Sequence, residues 1–447
     1  MKRKQSLLLL LLIISIVSIF VLSSCEVTLR TATKAEINED GELIINYSDG
    51  TQDNLGVVVG KDGTNGTNGT DGKDGIDGTN GADGKDGSIN ITNNTDNSIA
   101  LASSKGFKSS VSIYCTYQVY SGYGTLTTET NSAGSGVIYK LDKENGDALI
   151  ITNYHVVYDP SSVNKNGISE KIQVFLYGSE TIDSVMEATY VGGSMYYDIA
   201  VLQIKNSDIL KRHDVEAVTI RNSDTIHVGE TAIALGNPRG TGLATSSGII
   251  SVDSEYLDMK GADDVTDVSF RVMRVDTPIN GGNSGGGLFD IEGKLIGIVN
   301  AKCVESDIDN IGYAIPTNVA IGAVENILYY CLGTTQENVK KPLVGITVQG
   351  KNPYAEYDES TGYTNLFEDV TVISVSEGSL ADGVLKADDV IKHVKVNDYD
   401  KDITRMYMLI DSILHARIGD TITLTFERDG VTHQENFTIT DKNVILY

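Results

Sequence analysis

At 447 residues and 48.0 kDa the chain exceeds one ordinary domain, and about 150 residues per domain gives two or three. An apolar content of 40% with 22 Tyr and 8 Phe supplies a packed core and excludes wholesale disorder, while a net charge of −26 repels phosphate backbones and excludes nucleic acid as a partner. The composition leaves one anomaly, 46 Gly against 6 Pro, and its meaning depends on where the glycines lie.

Lys2, Arg3 and Lys4 precede an apolar run from Leu7 to Leu22, broken by Ser15 and Ser18. The run is short of the roughly 20 residues that a spanning helix needs, so an uncleaved signal anchor is the weaker reading. Leu22-Ser23-Ser24-Cys25 resembles a bacterial lipobox. Residues 1–24 are therefore expected to be a lipoprotein signal peptide and Cys25 the lipidation site. The rest of the chain would then lie outside the cytoplasm, at the bacterial cell surface, anchored to the membrane by more than one acyl chain.

Residues 25–59 hold alternating runs around Asp40-Gly41 and Asp49-Gly50, which predict a small β-hairpin module behind the anchor. From Gly60 to Gly87 a glycine stands at each third position, and no proline occurs between them. A Gly-X-Y period suits the crowded axis of a collagen-like triple helix, and Lys-Asp pairs at 61–62, 73–74 and 85–86 could join chains there. A solvated Gly/Asn/Asp/Thr linker is the other reading, and either makes 60–89 a stalk.

Residues 101–335 read as short β-branched and aromatic runs separated by Gly, Asn, Asp and Ser turns, with helical spacing only over 318–332, which predicts a mainly β sandwich or barrel. Cys115 continues an apolar alternation with Val111 and Ile113 and is expected in the core. Three segments carry chemistry: Asn153-Tyr154-His155-Val156-Val157, Asp198-Ile199-Ala200-Val201-Leu202, and Asn280-Gly281-Gly282-Asn283-Ser284-Gly285-Gly286. A serine hydroxyl is a weak nucleophile at neutral pH, so Ser284 needs a base in His155, which needs a carboxylate in Asp198 to fix its tautomer. The glycines let the backbone N–H groups of Gly282 and Ser284 converge on an oxyanion. The chain order His, Asp, Ser is that of chymotrypsin-like proteases. No cysteine or histidine spacing indicates a metal, and no cofactor is expected.

Together with Ala133-Gly134-Ser135-Gly136-Val137-Ile138, Ala234-Leu235-Gly236-Asn237-Pro238, Thr245-Ser246-Ser247-Gly248-Ile249 and Gly312-Tyr313-Ala314-Ile315-Pro316, these segments resemble the HtrA family of trypsin-like serine proteases. The resemblance covers about three quarters of the chain. It implies a chymotrypsin-like double β-barrel followed by an α+β PDZ domain over 340–447, a homotrimer, and endoproteolysis of misfolded, unfolded or exported proteins without metal or cofactor. It places an S1 pocket around Pro278 and Ile298-Val299-Asn300, and small aliphatic P1 residues follow, because Pro278 stands where a trypsin-like enzyme carries an acid. A PDZ carboxylate-binding loop is expected at Val344-Gly345-Ile346, where a peptide C-terminus would be captured beside a groove wall formed by the stretch from Ile403 to Leu414. Gly281 and Gly287 depart from the family's prolines, which implies a looser oxyanion loop. That looseness leaves a second reading open, a surface binding or chaperone-like scaffold with a latent protease domain.

Overall fold

The structure, a computed structural model, describes residues 32–57 except 41 and 49, 97–120, 127–301 except 180, 311–334 and 339–446. The signal sequence, Cys25, the Gly-X-Y repeat and Cys303 lie outside these residues. The chain divides into two compact units, Met1–Ser88 and Ile89–Tyr447.

In the first unit β1 (Ala32–Ile37), β2 (Glu42–Tyr47) and β3 (Gln52–Val57) form an antiparallel meander. The expected hairpin is therefore a three-stranded sheet. Its third strand, Gln-Asp-Asn-Leu-Gly-Val, has no apolar alternation to announce it.

In the second unit, helix α1 (Ser98–Phe107) precedes a closed six-stranded barrel. The barrel comprises β4 (Ser110–Tyr120), β5 (Thr127–Asp142), β6 (Asp147–Thr152), β7 (Lys171–Leu176), β8 (Met186–Ser194) and β9 (Ile199–Ile204), and the short helix α2 (Tyr154–Val157) follows β6. Helix α3 (Asp208–Arg212) leads toward a second closed barrel, of β10 (Thr231–Gly236), β11 (Ala244–Lys260), β12 (Asp267–Val275), β13 (Gly287–Phe289), β14 (Leu295–Val299) and β15 (Gly312–Pro316). Helix α4 (Thr317–Cys331) closes this region over the helical spacing expected from the sequence.

The alternation along the strands explains the packing. Ala200, Leu202 and Ile204 of β9 fill the first barrel, while Ile199 and Val201 join a second core with Leu295 and Ile298 of β14 and with Val319, Ala323 and Ile327 of α4. Strands covered on both faces read as continuous apolar runs. Cys115 is buried in the first barrel as a free thiol, and burial pushes its pKa up to about 12.

The C-terminal part is a sheet in the order β17 (Ile346–Asp358), β18 (Tyr363–Val375), β19 (Val390–Val396), β21 (Thr421–Arg428), β22 (Val431–Thr438). A short β20 (Tyr399–Asp402) pairs with β19, and β16 (Lys340–Pro342) pairs with β23 (Val444–Leu446). Helix α5 (Met406–Leu414) packs Leu409 into the core of this sheet, while Leu414 meets Gly322 of α4. Its other face meets the second barrel, where Arg271 of β12 is fully buried, ion-paired with Asp411 and stacked 3.6 Å from the Tyr407 ring centroid. Asp224 lies 3.6 Å from the same guanidinium and 2.7 Å from Lys401. Burial raises the Asp411 pKa against the opposing pull of Arg271.

Candidate active site

The local backbone presents each of the three expected residues. Asn153 follows β6 in extended conformation and α2 turns the chain so that His155 emerges from the barrel wall. Asp198 precedes β9 in the left-handed region, φ 53°, a strained conformation that costs on the order of 1–3 kcal/mol and persists where surrounding contacts fix it. Those contacts are present. The Asp198 carbonyl accepts from Asn153 Nδ2 at 2.8 Å and from the Tyr154 amide at 3.2 Å.

The Asp198 carboxylate, 6% exposed, receives three N–H donors. Oδ1 accepts from the His155 amide at 2.9 Å, and Oδ2 accepts from His155 Nδ1 at 2.6 Å and from Asn300 Nδ2 at 2.8 Å. A carboxylate so surrounded holds the imidazole in the tautomer with its proton on Nδ1, leaving the Nε2 lone pair free.

Ser284 lies on the loop between β12 and β13, and the loop is pinned at several points. The Gly281 carbonyl accepts from the Arg239 amide at 2.9 Å, that of Gly282 from Ser135 Oγ at 2.7 Å, and that of Ser284 from the Ser135 amide at 2.8 Å. A trans peptide directs its N–H opposite to its carbonyl. With its 281–282 carbonyl held by Arg239, the Gly282 N–H faces away from that loop. Neither it nor the Ser284 N–H donates to a protein group among the described residues. Gly282 has φ 96°, and a Cβ there would lie 2.2 Å from the Asn237 carbonyl oxygen, so only glycine fits. At Gly285 a Cβ would come within 2.3 Å of Thr152 Oγ1 and 2.9 Å of the Asn153 amide nitrogen. This close approach carries Ser284 beside the His155 segment. Among the described residues the Ser284 hydroxyl makes no hydrogen bond to His155.

The residues expected to wall a specificity pocket have other employment. Ile298 is packed in the core under α4, Val299 in the second barrel, and Asn300 turns to Asp198. The backbone here is bonded as well, the Val299 amide donating to the Gly286 carbonyl at 2.8 Å, the Val299 carbonyl accepting from the Gly285 amide at 3.0 Å and the Asn300 amide donating to the Tyr313 carbonyl at 2.9 Å, and residues 302–310 beyond it lie outside the described residues. Pro278 is exposed, and its carbonyl accepts from Ser246 Oγ at 2.8 Å. The neighbouring Ile279 is half-buried and packs on Gly312, where a Cβ would sit 2.6 Å from its Cδ1. Gly281 stands in open space, where an added methyl would meet nothing within 4 Å, while its carbonyl is held by the Arg239 amide.

Two neighbours of the site were not legible from local pattern. Ser135 belongs to a segment recognised as a motif, yet its role as the bracket of the serine loop appears only when the barrels meet. Lys341 of β16 sits 4.6 Å from the Tyr196 ring centroid and 5.4 Å from that of Tyr197, the two residues before Asp198, and burial lowers its pKa. At the expected carboxylate-binding loop, Gly345 has φ 89° and its carbonyl accepts from the Ser376 amide at 2.8 Å.

Residues 134–298 match the family model described as a trypsin-like peptidase domain. The chain is 32% identical over 318 residues to a serine protease Do-like HtrA of Lactococcus lactis subsp. cremoris (strain MG1363), covering 69% of this chain and 70% of that protein. It is 33% identical over 310 residues to the serine protease Do-like HtrA of Bacillus subtilis (strain 168), covering 68% and 62%. Among solved structures it is similar to the HtrA-type protease AlgW with tripeptide, at 27% identity and a TM-score of 0.47, over 76% of this chain and 96% of that one.

Proposed function

The chain belongs to the Do-like HtrA serine proteases, and from that premise we propose that His155, Asp198 and Ser284 form the catalytic triad with which it cleaves unfolded or exported proteins. It is a serine endopeptidase. The observation that carries the residue assignment is the buried Asp198 carboxylate on His155 Nδ1 at 2.6 Å, beside a serine loop with two N–H groups that donate to no protein group among the described residues.

In the cycle this geometry supports, Ser284 Oγ attacks the scissile carbonyl carbon while His155 Nε2 takes its proton. The oxyanion accepts from the N–H groups of Gly282 and Ser284, each worth roughly 3–4 kcal/mol in the transition state. His155 then protonates the leaving amine, and water hydrolyses the acyl-enzyme by the same path in reverse order. The Ser284–His155 hydrogen bond forms as substrate seats, since such bonds tighten in the complex. Small aliphatic P1 residues suit a site with no acid at Pro278 and with Ile279 beside it.

The C-terminal module is assigned as a PDZ domain binding peptide C-termini at Val344-Gly345-Ile346. The terminal position of β17 in its sheet and the presence of α5 support a peptide added as an edge strand. The signal sequence and Cys25 support a lipid-anchored surface location, and no helix among the described residues is long and apolar enough to cross a membrane. A homotrimer is part of the same reading.

Cleavage of an unfolded protein by the native chain and by Ser284→Ala tests the triad. Activity is expected to vanish in the variant, and equal activity in the two overturns the assignment. Cys25→Ala should release the protein from membranes, and persistent anchoring refutes the lipid site.

A further inference from the structure

The sheet β1–β3 has two faces of different kind. Its register pairs Ala35 with Ile45 and Ile37 with Leu43, so these four apolar side chains share one face. Tyr47 and Asp53 lie at one side of that face, the Tyr47 hydroxyl donating to Asp53 at 2.9 Å, while the opposite face carries Ile44 among polar groups bonded to one another: Asn46 Nδ2 donates to Glu36 at 3.4 Å, Gln52 Nε2 to Asn46 at 2.7 Å, and Asn54 Nδ2 to Glu42 at 2.9 Å. No described residue of this sheet is buried, and Ile37 is 56% exposed. Three short strands hold together in water when a hydrophobic face is covered, and among the described residues of this unit nothing covers it.

The sequence that follows indicates the cover. Three residues beyond Val57, Gly60 begins the run with glycine at each third position to Gly87. That period has a structural use where three chains share one axis. Without proline, these triplets lack preorganisation, so their three ends have to be gathered and aligned by something adjacent. A small sheet that associates with its own copies would do so by raising the effective concentration of the ends.

We propose that the Ala35, Ile37, Leu43, Ile45 face docks against the same face of two further copies of this chain, forming a three-fold head that sets the register of the Gly-X-Y segments. The polar, hydrogen-bonded face then points to water. This assembly surface is separate from the protease domain and independent of the proteolytic reading.

The test uses the full-length chain in its membrane, with a benzophenone amino acid at Ile37 or, on the opposite face, at Glu36. On illumination, Ile37 should yield covalent dimers and trimers whose linked peptides map to residues 32–57 of another copy, and Glu36 should not. Ile45→Asp should abolish the ladder from Ile37. The Ile37 and Glu36 contrast is made in an otherwise native sheet, so it stands even where Ile45→Asp unfolds the module. Links from Ile37 to lipid, to another protein or within its own chain, dimers without trimers, or equal ladders from both positions would overturn the proposal.

Discussion

Replacing Asn300 by Ala deletes one of the three donors to the Asp198 carboxylate while leaving both His155 contacts in place. A hydrogen bond to a charged, buried acceptor contributes about 1.5–3 kcal/mol. If Asn300 holds Asp198 for catalysis, most of that falls on the transition state, in which His155 becomes positively charged and depends on the carboxylate. At 1.36 kcal/mol per decade the expected loss in kcat/KM is roughly 10- to 150-fold. The assay is steady-state hydrolysis of a fluorogenic peptide by the folded variant, with KM expected to change little. The decisive control is the same substitution in an Asp198→Asn background. A residue acting through Asp198 has little left to lose there, because contacting residues are non-additive. A loss of the same size in both backgrounds, or a native rate for Asn300→Ala, refutes the argument.

Gly282→Ala forces a side chain into φ 96° against the Asn237 carbonyl and should lower kcat about 100-fold or more, whereas Gly281→Ala, in open space, should leave activity and stability nearly native. Equal damage at the two positions would contradict the loop geometry. Arg271→Met strands Asp411 and should cost about 3–5 kcal/mol in urea unfolding, while Arg271→Met with Asp411→Leu should recover most of it. A double variant no better than Arg271→Met would show that the pair is not the source of the loss. His393 lies between Asp402 at 2.9 Å and Asp400 at 2.8 Å, and its pKa is raised chiefly by the Asp402 hydrogen bond. A raised folded-state pKa gives stability that is complete below the unfolded value, about 6.5, and is lost as pH rises through the folded value. His393→Gln should therefore destabilise the C-terminal module near pH 5 and not near pH 9. A pH-independent effect would remove the histidine charge from the account.

By itself the sequence set most of the elements, β3 excepted, and the residue pattern that points to their chemistry. His155, Asp198 and Ser284 stand in an order and on strand ends that announce a triad, helix α4 follows its apolar spacing, and Cys115 follows the inward phase of β4. These are local signals, set by side-chain period and glycine placement within a few residues. Tertiary closure decided what the local signals do not encode. Asn300, which the resemblance places at the wall of a specificity pocket, donates to a carboxylate 102 residues earlier. Ser135 brackets a loop 147 residues away, and Arg271 finds its counter-ion 140 residues on. Hydrogen bonds and ion pairs of this kind depend on which strand ends two closed barrels and a docked sheet bring within 3 Å, and no periodicity along the chain records that distance.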